Sequence, residues 1–195
     1  MRNAKILVRS LLGATVLSLF LGLSSCKQEN KAEDPKEVAE DENEVKFDEN
    51  DAREDDAEFL VDAAENDMME VELGKLAQSK ATNTQVRKFA EMMVAEHSKS
   101  ANEMKPVAER LKVTLPASLT ETGLEKQKTL NEKTGNDFDK KYMDIMVEAH
   151  DDAVENFEKY AEKANDAELR SWAAGKLPGL KSHLEQAKQL KDQLK

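Results

Sequence analysis

Residues 86–111 read VRKFAEMMVAEHSKSANEMKPVAERL. Positions Val86, Phe89, Met93, His97, Ser100, Met104, Val107 and Leu111 recur at steps of three and four, and only His97 and Ser100 interrupt an otherwise apolar series. Such steps follow the 3.6-residue turn of an α-helix and lay these side chains along one face. The stretch therefore predicts a long helix with one buried stripe. Thr82 followed by Gln85 reads as its capping box, and Pro106 is expected to kink it near its end.

The same period continues on both sides. Phe59, Ala63, Asn66, Glu70, Leu73 and Ala77 form one stripe, and Met143, Met146, His150, Val154, Phe157 and Ala161 form another on a helix starting near Asn136. A last helix, opened by Asn165 with Glu168, carries Leu169, Ala173, Leu177, Leu180, Leu184 and Ala187 and is expected to be interrupted at Gly175 and Pro178-Gly179. Ser118 with Glu121 opens a short helix in between, which Gly135 closes. Long helices paired by turns near Ala81 and Asn165, with one longer link, describe an all-α four-helix bundle with a short extra helix in the central connection. Lys88–His97 and Lys141–His150 match at four of ten positions at an offset of 53, which suggests two related hairpins.

Composition narrows the possible chemistry. The chain has 195 residues, 40 Asp and Glu against 29 Lys and Arg, a formal net charge of −11, and one cysteine. A single cysteine excludes an intramolecular disulfide framework and any cysteine-rich zinc or iron–sulfur site. The acidic balance argues against nucleic acid as a partner, because phosphate recognition needs a clustered basic surface.

The charge is unevenly distributed. Arg2, Lys5 and Arg9 precede a run from Leu11 to Leu23 without a charged residue, and Ser24 and Ser25 lead to Cys26. This pattern is an export signal too short to serve as a membrane span. Leu23-Ser24-Ser25-Cys26 resembles a bacterial lipobox, in which Cys26 becomes the lipidated first residue of the mature chain. Lys27 after it suits outer-membrane sorting. Between Lys27 and Asp56 there are 14 acidic and 5 basic residues with few large apolar side chains, which reads as a disordered acidic tether. The expected organisation is thus a signal peptide over 1–25, a lipidated cysteine and tether over 26–56, and a bundle domain over 57–195.

Three histidines fall on the predicted helices. His97 and His150 lie on their stripes, and His183 sits beside Leu184 at the edge of the third. Counted from the turns near Ala81 and Asn165, they lie 16, 15 and 18 residues deep, within about one helical turn of each other. Convergence in the core would build a site for one transition metal ion, with zinc, copper and iron as the candidates for an imidazole and carboxylate donor set. On the first helix Glu70 has the right face and Glu65 the right depth, and Glu70 is preferred. Met93 and Met146 each precede a histidine by one turn, a spacing that would suit Cu(I) but equally marks core filler. The Glu-x-x-His pattern of di-iron bundles is missing, because Val94, Val147 and Leu180 stand where its glutamates would be.

Phe59 to Ala64, Met69 to Ala77, Met93 to His97, Phe138 to His150, and Leu177-Pro178 with His183 resemble the domain-of-unknown-function 4142 family over essentially all of 57–190. The resemblance implies a ferritin-like four-helix bundle in exported bacterial proteins and supplies no reaction or ligand set. No nucleophile–base pair, phosphate-binding glycine loop or cofactor fingerprint is present in the sequence, so covalent catalysis is not expected. The expected protein is a cell-envelope lipoprotein, held on the membrane by its N-terminal lipid and facing the periplasm, with a metal site formed by His97, His150, His183 and Glu70. The alternatives are a structural module that binds an envelope protein, and a mononuclear metal oxidase or stress-protective enzyme.

Overall fold

Short polar side chains set where most of the helices begin. In the computed structural model, which describes residues 33–194, the elements are α1 (Pro35–Phe47), α2 (Asp51–Lys80), α3 (Thr84–Leu111), α4 (Glu121–Asn131), α5 (Gly135–Lys163) and α6 (Ala167–Gln193). Asn50, Asn83, Thr120 and Asp166 each accept hydrogen bonds from free N–H groups in the first turn of α2, α3, α4 and α6. Three of these caps differ from the expected capping boxes. Asn83 replaces Thr82, Thr120 replaces Ser118, and Asp166 replaces Asn165, because Thr82 and Asn165 are held by residues from other helices. Gly135 opens α5 at φ +58 instead of closing α4, a left-handed conformation that glycine adopts without steric cost. Both helices with an internal proline run on, α3 past Pro106 to Leu111 and α6 without a break through Gly175 and Pro178-Gly179.

α2, α3, α5 and α6 form the bundle, and α4 lies in the link between its two hairpins. The two hairpin turns sit at opposite ends. Asp139, near the start of α5, accepts hydrogen bonds from the Thr82 and Asn83 N–H groups and the Thr82 hydroxyl at the α2–α3 turn. Asp56, near the start of α2, does the same for the Asn165 and Asp166 N–H groups at the α5–α6 turn. These aspartates are 83 residues apart, and so are the C-caps Ala81 and Ala164, the N-caps Asn83 and Asp166, and Arg87 and Arg170, whose guanidinium groups donate to the carbonyls of Ala81 and Ala164. The internal correspondence therefore runs at an offset of 83 and pairs α2 with α5 and α3 with α6. The echo at 53 matches α3 to α5, which hold different places in the bundle.

The core has two apolar clusters. One gathers Phe59, Leu60, Phe157, Tyr160, Leu169 and Met104, with Phe59 stacked 4.3 Å from Tyr160. The other gathers Leu73, Phe89, Met93, Phe138, Tyr142 and Met146. Each fully buried large side chain contributes about 1.5–3 kcal/mol of burial free energy. Between the clusters lies the bundle's polar layer.

The expected tether is structured over much of its length. Asp34 caps α1, Pro35 occupies the first turn where its missing N–H costs nothing, and Ala39, Asn43 and Phe47 recur every fourth position to form a buried face. Lys36 reaches Asp62 and Glu65 of α2 at 2.6 and 3.0 Å, and Asn43 pairs with the Thr114 backbone at 2.8 Å in both directions. α2 itself begins at Asp51 and not near Ala57. Local acidity is outweighed here by a buried stripe and complementary partners on the bundle. The signal peptide and Cys26 lie outside the described residues. No helix among the described residues is long and apolar enough to cross a membrane.

Candidate metal centre

α2, α3, α5 and α6 each place one of the four sequence-selected side chains in the polar layer. Glu70 and His150 are fully buried, His97 is 3% exposed and His183 is 9% exposed. One ring nitrogen from each of His97, His150 and His183 lies within 4.8 Å of those of the other two. Glu70 Oε2 approaches His97 Nε2 at 3.0 Å and His150 Nε2 at 3.5 Å. All four sequence-selected residues are thus brought together. The Cα–Cβ bond of a helical residue tilts toward the N-terminus, which carries the Glu70 carboxylate back toward mid-helix and compensates for its shallow position. Glu65 lies elsewhere and accepts from Lys36 and from the Thr120 hydroxyl.

Neighbouring groups orient two of the rings. His97 Nδ1 faces Asp67 Oδ1 at 2.8 Å, so this nitrogen carries a proton and Nε2 points to Glu70. His150 Nδ1 donates to the Met146 carbonyl at 2.9 Å, leaving its Nε2 as a bare acceptor. Asn66 Nδ2 donates to Glu70 Oε1 at 3.0 Å and fixes the carboxylate plane. Hydrogen-bonded imidazoles of this kind are the usual arrangement behind metal-ligating histidines.

Asp67 is absent from the sequence-selected set. Its signal was present, since it lies three residues before Glu70 and therefore on a neighbouring part of the same face. Met146 serves the site through its carbonyl, while the Met93 and Met146 side chains belong to the apolar cluster alongside.

Burial and charge act against each other in this layer. Burial opposes the charged form of His97, but the Glu70 charge and the hydrogen bond to Asp67 outweigh it and raise the ring well above its ordinary pKa. Burial would raise Glu70, yet the charge of His97 beside it holds it below the usual carboxylate range. Asp67 is raised by burial despite its bond to His97. His150 is lowered chiefly by burial, and His183 is pushed down to about 4 by burial and the neighbouring imidazoles. The layer thus sets the His97 ring between two carboxyl groups, with His150 and His183 shifted toward their neutral forms.

Hydrogen bonding leaves these donors incomplete. His150 Nε2 and His183 Nδ1 are buried and lack a hydrogen-bond partner, and His97 Nε2 and Glu70 Oε2, also buried, have only their mutual 3.0 Å approach. Buried polar atoms are nearly always satisfied, so these four mark a place where a further partner would be accommodated. Three nitrogens and one carboxylate oxygen suit zinc, copper, iron or nickel, and the donors present fit such an ion. The Tyr142 hydroxyl, also buried and unpartnered, is raised by burial and by the Glu70 charge.

Comparison with known proteins places the chain. It belongs to the DUF4142 family, a domain of unknown function whose family model matches residues 43–190. Two solved structures share its fold. One is a DUF305 protein from Streptomyces coelicolor described as secreted, 16% identical with a TM-score of 0.61, covering 72% of this chain and 93% of that one. The other is CopM in its Cu(II)-bound form, also 16% identical, with a TM-score of 0.62, covering 72% of this chain and 97% of that one. At that identity the likeness is one of fold. No curated protein matches the sequence.

Proposed function

We propose, for a chain whose family carries no assigned reaction, that the bundle binds one transition metal ion through His97, His150, His183 and Glu70. The observation that carries this reading is the meeting of four buried, unpartnered donor atoms from four helices. Copper is the first ion to test, because a protein of the same fold is known with Cu(II) bound; zinc and iron follow from the donor set. Such an ion would supply a Lewis-acid or redox centre. The chain's own residues hold and orient the donors: Asp67 and the Met146 carbonyl fix two rings, and Asn66 fixes the carboxylate. In this reading the protein handles or stores the metal at the cell envelope, anchored by lipid on Cys26 to the outer membrane and facing the periplasm. The anchor rests on the Leu23-Ser24-Ser25-Cys26 stretch after an uncharged run.

Elemental analysis and titration of the purified chain test the reading. One ion per chain is expected, with His97→Ala, His150→Ala and His183→Ala each losing it. Metal-free protein with no affinity for copper, zinc or iron ends the proposal. Cys26→Ser is expected to move the protein from the membrane to the soluble fraction.

One observation favours a purely structural layer. His97 lies between Asp67 and Glu70 at 2.8 and 3.0 Å, so the polar groups of the core are paired with one another without an ion. That reading predicts that His97→Ala destabilises the fold by about 3–5 kcal/mol, as when one partner of a buried pair is removed, and that metal neither binds nor stabilises the parent chain.

A further inference from the structure

The four donors are walled off on most sides, and glycine marks both the tightest wall and the opening. Where α2 passes α3, a Cβ on Gly74 would lie 2.7 Å from Val94 Cγ2 and 3.2 Å from the Ala90 carbonyl oxygen, so these helices already touch. On α6 a Cβ on Gly179 would meet nothing within 4 Å. α3 and α6 touch less than the other adjacent pairs of long helices, and a cavity of about 70 Å³ lies in their seam. His97 and His183 line it, with Glu96, Lys176, Gly179 and Leu180. His183 is also the most exposed of the three histidines.

Two larger clefts beside the layer stop short of the donors. The cleft of about 280 Å³ along α2 and α5 touches Asn66, Met69 and Ala149, and the larger one of about 610 Å³ against α2 and α3 reaches Asp67. Neither is lined by a histidine or by Glu70. At about 70 Å³ the seam cavity has room for an ion with accompanying water. Lys176, which lines the seam, is paired across it with Glu103, and the carboxylate offsets its positive charge.

We infer that the α3–α6 seam is the port through which a metal ion reaches the histidines, and that Gly179 keeps it open. This rests on the metal-binding reading and adds to it a route and a specific residue. A side chain at position 179 that covers the mouth slows loading and release together and leaves equilibrium affinity unchanged. Position 179 is exposed and helical, so replacing its glycine raises helix propensity and does not endanger folding.

Stopped-flow mixing of the full chain with Cu(II), followed by quenching of Trp172, tests the port. Trp172 is the only tryptophan, its ring is 5.4 Å from Phe157, which lines the same cavity, and it lies about 16 Å of helix rise from His183. Gly179→Phe is expected to slow loading by about tenfold or more, a barrier increase of about 1.4 kcal/mol, with one ion still bound per chain and unchanged affinity. Gly179→Ala, which stiffens the helix without covering the mouth, is expected to stay within about twofold of the parent, well under 1 kcal/mol. Unchanged loading in Gly179→Phe at full stoichiometry overturns the port alone, as does equal slowing by alanine and phenylalanine. A parent chain that binds no metal removes the metal reading and the port with it.

Discussion

At a shift of 83 residues, Ala81, Asn83 and Arg87 of the α2–α3 hairpin share roles with Ala164, Asp166 and Arg170 of the α5–α6 hairpin. At mid-helix the same shift sets Asp67 against His150, Glu70 against Ala153, His97 against Leu180 and Ser100 against His183. The ends are alike because both must satisfy the free N–H and C=O groups of a tight helical turn. The middles differ because a single set of donors needs unlike contributions: carboxyl groups and one imidazole from the first hairpin, two imidazoles from the second. Two equal middles would have offered every donor in duplicate. Departure from the repeat is therefore a marker for the site, and agreement with it a marker for folding.

The largest expected effect is at the middle. His150→Ala removes a fully buried residue of the proposed site and is expected to abolish stoichiometric metal binding by elemental analysis, while the turn variants Arg87→Ala and Arg170→Ala retain it. Metal loss in a turn variant would break the division of labour. Next come the buried turn aspartates. Asp56→Ala and Asp139→Ala each strand at least two backbone donors, so urea denaturation should show about 3 kcal/mol lost in either. Costs that differ by more than about 2 kcal/mol would make the two ends unequal.

Asp67→Asn comes third. It keeps the side-chain shape but weakens the hold on His97 Nδ1, and metal affinity is expected to fall about 10–100-fold by competition titration. An unchanged affinity would remove Asp67 from the site. The smallest effect separates the two N-caps, since Asp166 titrates and Asn83 does not. A hydrogen bond from Arg110 holds the Asp166 carboxyl at about 2. Its ordinary value is about 3.9, so its stabilisation is complete above that pH and fades as pH falls through the lowered value. Denaturation of Asp166→Asn should therefore converge with the parent between pH ~4 and ~2; a gap that stays constant would show that Asp166 titration is not involved.

The helices and the histidine site were readable in sequence for one physical reason: apolar periodicity reports which face is buried, and a polar residue on that face needs a partner. His97, His150 and Glu70 stood out that way. The depth comparison worked even though the two turns lie at opposite ends, because a residue near the midpoint of a long helix is equally deep from either end. His183 was legible only as a stripe-edge residue, and the structure buries it in preference to Leu184. What local reading missed depended on contacts far along the chain. Thr82 and Asn165 resemble caps but are claimed by Asp139 and Asp56. In α1, Ala39, Asn43 and Phe47 had the right spacing, yet the surrounding acidity hid a helix whose stability comes from Lys36 on α2 and Asn43 on residue 114. Repeat detection failed at 53 and holds at 83 because the conserved features are turn contacts, carried by few residues.

The placement of the polar layer between two apolar clusters also governs how the helices may slide. A shift of one long helix by a single turn, about 5.4 Å, would carry Glu70 or His97 into an apolar cluster and set an apolar residue among the remaining charges. Leucine and methionine contacts alone tolerate such slippage, since one aliphatic neighbour replaces another. The layer therefore acts as an index pin: it fixes the axial register of four helices whose apolar surfaces would accept more than one alignment.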